Sequence, residues 1–241
     1  MILRSRICFS AAAFLLAGPA LAASITGKVD LRDSKDPVVR RKSDFSNVVV
    51  WLEVVDGKAS RPAAASARTR MVQKDKTFTP HVLAVTVGTT VDFPNFDPIF
   101  HSAFSNYDGQ LFDVGLYPPG STRSVRFIRA GVVRVFCNIH AAMSAAIVVL
   151  PTPYFAASRK DGSFEIAGVT PGDYWFKVFH EHATSETLDS LARRITVGTG
   201  PVALGGVSIS ESGYLELPHK NKYGRDYSAE PDDRAYPAVR N

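Results

Sequence analysis

The sequence predicts an all-β protein, on three observations. Short runs rich in Val, Thr, Phe and Tyr recur along most of the chain. Turn residues such as Asp56-Gly57, Gly88-Thr89 and Asp161-Gly162 separate them, and no segment holds a convincing helical period. Fifteen Phe and eight Tyr among 241 residues suit pleated, half-buried surfaces. Several short strands at even spacing imply sandwiches or barrels, and 241 residues are enough for one large or two small domains.

The first residues read as an address. Arg4 and Arg6 precede the apolar run Ile7 to Leu16, and Ala20-Leu21-Ala22 supplies the small residues of a cleavage site. Residues 1–22 are therefore expected to be a signal peptide, and the apolar run is too short to span a bilayer. No later run is long and apolar enough to span one, so the mature protein is expected to be exported and periplasmic. The net charge of +5 falls to +3 without Arg4 and Arg6, too little and too scattered for a nucleic-acid partner. Of two Cys, Cys8 leaves with the leader and only Cys137 remains. A solitary thiol in an oxidising compartment is either buried or held by a metal.

The elements follow in order. Ser24 to Leu31 and Asn47 to Val55 read as strands, the second ended by Asp56-Gly57 and followed by a small, polar loop from Lys58 to Ala67. Further strands are expected at Thr69–Gln73, Val82–Val87, Thr90–Pro94, Ser102–Ser105, Arg123–Phe127, Val132–Phe136 and Ala145–Leu150. Between the last two lies Cys137-Asn138-Ile139-His140-Ala141-Ala142-Met143, which packs a thiolate, an imidazole and a thioether into seven residues. A loop joining two strands can turn such donors inward around one ion, and His101 is well placed as a fourth. Two His, one Cys and a weak axial Met form the ligand set of a mononuclear type 1 copper site. Zinc also takes thiolate and imidazole, but the thioether points to copper.

The region from Thr69 to Leu150 resembles the cupredoxins, the plastocyanin/amicyanin group above all. The resemblance rests on Phe78-Thr79-Pro80 with Val85 to Phe93, on the Asn95-to-His101 loop, and on Cys137-x2-His140-x2-Met143. It implies a Greek-key β-sandwich or barrel over 68–150, with His101, Cys137, His140 and Met143 as metal ligands. Two departures stand out. Family members often carry Asn after the first ligand His, where this chain has Ser102, and Pro after the second, where it has Ala141. The first is expected to loosen the hydrogen bonding between ligand loops, the second to alter the exposure of His140.

After Pro151-Thr152-Pro153 a second pattern begins. Asp161-Gly162 and Pro171-Gly172 are hairpin turns between alternating strands at Phe164–Ile166 and Tyr174–Phe179, with closing strands at Ile195–Val197 and Gly206–Ser210. This resembles a carboxypeptidase regulatory-like, transthyretin-like sandwich whose opening strands lie instead at 24–57. The cupredoxin region is thus expected to be inserted into it, because a sandwich missing strands would leave open edges. The sandwich resumes over 154–212, and the charged, Gly- and Pro-containing tail 219–241 is expected to be disordered. The combination resembles bacterial periplasmic proteins called "methylamine utilisation protein".

Other histidines carry less. His81 reads as a surface residue, and His180-Glu181-His182 as a polar strand end in preference to a metal pair. Six His in all cannot furnish the several pairs of a multicopper oxidase. No catalytic triad, paired carboxylates or phosphate-binding loop stands out, and Asp232-Asp233 reads as solvated. The chain is therefore expected to be no enzyme, but a one-electron carrier with a redox partner protein. The other reading is a copper-binding, storage or surface-interaction module.

Overall fold

A computed structural model describes residues 23–55, 67–106, 109–215 and 218–228. The expected leader, most of the loop after Asp56 and the tail beyond 228 lie outside the described residues.

Strand β1 (Ala23–Arg32), helix α1 (Pro37–Lys42) and strand β2 (Val49–Val54) open the fold. Then come β3 (Arg68–Arg70), β4 (Val72–Lys74), β5 (Thr77–Thr79), β6 (Val82–Thr86), β7 (Thr90–Pro94) and β8 (His101–Ser105). They continue with β9 (Phe112–Tyr117), β10 (Thr122–Arg126), β11 (Gly131–Phe136) and β12 (Ser144–Leu150). The last part holds β13 (Phe155–Ala157), β14 (Ser163–Val169), β15 (Gly172–Phe179), α2 (Ser185–Leu191), β16 (Arg193–Val197) and β17 (Val202–Ser210).

The two opening strands take partners from the far end of the chain. β1 lies between β14 and β17, with Ile25 opposite Ile166 on one side and Val29 opposite Val207 on the other. β2 lies between β13 and β15, with Val50 opposite Val178, and β16 closes that sheet. Ile25, Val29, Phe164 and Val207 of one sheet meet Val50, Leu52, Phe176 and Val178 of the other in a single core. The turn at Asp161-Gly162 depends on glycine. Gly162 has φ +83°, and a Cβ there would lie 2.1 Å from the Val29 carbonyl oxygen.

The intervening strands pair among themselves. A five-stranded sheet in the order β6-β12-β11-β8-β9 faces β10-β7-β3, around Phe93, Tyr117, Phe127, Val133, Val135 and Ile147. β12 is buried on both sides. Ala145, Ile147 and Val149 enter that core, whereas Ala146, Val148 and Leu150 pack with Val49, Val82 and Phe179 in a third cluster. This third cluster joins the middle strands to the sheet of β2 and β15.

Three expectations change. The run Thr69–Gln73 is two strands, β3 pairing with β7 and β4 with β5, because the chain passes from one sheet to another at Met71. β9 was not foreseen, since Asp113 and Gly115 (φ +72°) interrupt its alternation. Two short helices are present, of six and seven residues. Each is too short to repeat a helical period, but each is capped. The Asp36 carboxylate accepts from the Val38 N–H ahead of α1, with Pro37 in its first turn, and the Thr184 hydroxyl accepts from the Thr187 N–H ahead of α2.

Candidate metal centre

Two neighbouring strands of the five-stranded sheet deliver the donors. His101 opens β8, all of whose residues are buried, and Cys137 follows the last residue of β11. The loop from Cys137 to Met143 is closed at its base, where Phe136 pairs with Ser144. Within it the Cys137 N–H donates to the Met143 carbonyl at 3.1 Å, and the Met143 N–H donates to the His140 carbonyl at 3.0 Å. These bonds fold the loop back on itself, which turns its donors inward.

His101, Cys137 and His140 come together, their ligand atoms all within 4.8 Å of one another. Cys137 Sγ lies 3.8 Å from His101 Nδ1 and 3.6 Å from His140 Nδ1. An ion bound by sulfur at about 2.3 Å and by nitrogen at about 2.0 Å holds these atoms about 3.5–3.7 Å apart at tetrahedral to trigonal angles, close to the distances seen. The donor set and its spacing therefore fit a metal. Met143 is fully buried in the same core as Cys137.

Burial alone would push the Cys137 thiol up. The imidazoles of His101 and His140, with the Ile139 and Ser102 contacts, outweigh it and bring the thiol down to about 5. A lowered thiol favours the thiolate, which is the form that binds metal.

Behind the donors stands a supporting layer that spacing did not reveal. Asp97 Oδ2 lies 2.7 Å from His101 Nε2 and accepts its proton, leaving Nδ1 toward the sulfur. Burial raises the Asp97 carboxyl, but the Lys76 and Asp75 N–H groups and His101 hold it below its ordinary range, so it stays ionised. Asn95 shapes this loop: its amide donates to the Ile99 carbonyl and its oxygen accepts from the Asp97 N–H. Ser102 does not leave the ligand loops untied. Its hydroxyl oxygen accepts from the Asn138 N–H at 2.7 Å and lies 3.8 Å from Cys137 Sγ.

The tail departs from expectation, for residues 218–228 are packed against the ligand loop. The His219 ring lies against Phe136 with centroids 4.0 Å apart, and its Nε2 donates to the Ala141 carbonyl at 2.8 Å. The Tyr227 hydroxyl donates to the Cys137 carbonyl at 2.8 Å, the Lys222 N–H donates to Asn138 Oδ1, and the Lys222 ammonium pairs with Asp113. Charge and turn residues in the tail suggested disorder, while the rings of His219 and Tyr227 and these polar contacts explain the docking. His140 itself is 5% exposed. Among the described residues, no helix is long and apolar enough to cross a membrane.

No family model and no curated protein sequence matches the chain. Among solved structures it is similar to a purple cupredoxin from Nitrosopumilus maritimus, at 22% identity over 34% of this chain and 99% of that one, TM-score 0.32. It is similar to a mutant of amicyanin in the Cu(I) form, at 17% identity over 42% of this chain and 92% of that one, TM-score 0.32. It is also similar to a copper-containing nitrite reductase from Thermus scotoductus, at 23% identity and TM-score 0.33. That match covers 51% of this chain and only 28% of the reductase.

Proposed function

We propose that this chain is a type 1 copper protein that carries single electrons, and not an enzyme. The observation that carries the reading is the buried sulfur of Cys137 with two imidazole nitrogens at 3.6 and 3.8 Å. On this reading His101, Cys137 and His140 would hold the ion and the Met143 thioether would supply a further, weaker donor. Copper when bound supplies a couple between Cu(I) and Cu(II). The protein's part is to keep the donors still. Paired strands fix β8 and β11, Asp97 fixes the His101 ring, and burial excludes water, so little rearrangement accompanies a change of charge.

The same reading takes 68–150 as a cupredoxin domain inserted into a regulatory-like, transthyretin-like sandwich formed by 24–57 and 154–212. It takes residues 1–22 as a leader to the periplasm, and the whole as resembling the "methylamine utilisation protein" type. A redox protein is the partner it implies. The packed tail favours a second reading, copper storage or surface interaction, because it lies on the loop through which His140 would meet a partner.

One experiment separates them. Cu(II) added to the mature protein is expected to give an intense thiolate-to-copper absorption band, bleached by a mild reductant and restored on oxidation. Cys137→Ser abolishes the band, and Met143→Ala keeps it with a shifted potential. Copper binding without the band, or a band that does not cycle, leaves storage as the function.

A further inference from the structure

A second cluster of metal-binding side chains shares no residue with the first. His180 and His182 follow the end of β15, and Glu211 follows the end of β17, so strands of two different sheets deliver three donors to one place. The strand stops at Phe179. A turn after it, in which the Ala183 N–H donates to the His180 carbonyl at 3.3 Å, carries both rings toward Glu211. The donor atoms all lie within 4.8 Å of one another.

His180 Nε2 is 2.9 Å from Glu211 Oε1, and His182 Nδ1 is 3.9 Å from Glu211 Oε2. Ligands bound to zinc at about 2.0–2.1 Å with tetrahedral angles lie about 3.4 Å apart, between these two values. The His180 and Glu211 side chains are 7% and 6% exposed, while His182 is 33% exposed and, with Glu211, borders a cleft of about 520 Å³. Asp33, Asp36 and Lys35 also border it, two negative charges against one positive. Hydrogen bonding among the described residues leaves the imidazole of His180 half satisfied, since its buried Nδ1 has no partner. The carboxylate is steadied from behind by the Ser34 hydroxyl, which donates to Oε2 at 2.8 Å.

We propose that His180, His182 and Glu211 form a second metal site, for a divalent cation of the zinc kind, with its remaining position open to the cleft. Two imidazoles and a carboxylate, with no sulfur, suit such an ion better than Cu(I). The open side admits water or a small oxygen ligand.

The test is calorimetric titration of Zn²⁺ into the full chain carrying Cys137→Ser, which removes the thiolate of the other cluster. Binding that depends on this site is expected, weakened at least about tenfold by added His182→Ala or Glu211→Gln, since losing a ligand costs no less than losing a partner behind one. Added His81→Ala, beside Glu181, is expected to leave it unchanged. His182 is partly exposed, so its alanine variant tests the site without emptying a core position. Absence of zinc binding, or equal affinity with His182→Ala and without it, overturns the proposal.

Discussion

Asp97 sets which nitrogen of His101 faces the sulfur. Because its ionised oxygen accepts from Nε2, the proton stays on that side and the Nδ1 lone pair points into the cluster. Replacing it with Asn should weaken metal binding by about 10–100-fold, read by chelator competition. Equal affinity would show that packing alone orients the ring. The cluster of His101, Cys137 and His140 was legible because residue types and spacing announce such chemistry. Asp97 was not, although it stands four residues before His101, since spacing in an irregular loop does not say where a carboxylate turns. Ser102 taught the same lesson from the other side. A hydroxyl in place of an amide looked like a loss, yet it receives the Asn138 N–H that ties the two loops together.

At the scale of elements, legibility followed the pattern of burial. β12 reads as an unbroken apolar run, Ala145 to Leu150, because its alternate side chains enter two different cores. Strands with one wet face, such as β15, announced themselves by alternation instead. The short helices were silent because their signal lies in single capping residues. The tail segment was misread because composition describes what a segment lacks in general, and not what Phe136, Asn138 and Ala141 offer it in particular. Removing residues 218–241 should therefore leave the copper band in place and speed Cu(II) uptake, measured by stopped-flow absorbance. An unchanged rate would mean that the tail does not screen the ligand loop.

Across the whole molecule, His81 and Glu181 bond at 2.5 Å between the middle strands and the end of β15, with Arg134 3.8 Å from the same carboxylate. The hydrogen bond to Glu181 raises the His81 pKa above its ordinary value, against the effect of burial. A raised value means that the charged pair stabilises the fold fully below about pH 6.5 and ceases to do so as pH rises through the folded value. His81→Gln should accordingly cost up to about 1 kcal/mol near pH 5.5, discounted for solvent at a half-exposed ring, and much less near pH 9. Urea denaturation at the two pH values checks this, and an equal cost at both would point to packing instead of charge.

The pairing of β1 with β17 also orders events in time. The middle strands find their partners within their own stretch of chain, whereas Ile25 must wait for Val202 and Leu31 for Ile209. Closing so long a span is slow, and until it closes β1 is an unpaired edge of the kind that recruits other chains. A strand made early is thus among the last to be placed, and a newborn copy that stalls before β17 carries an open flank on an otherwise finished middle.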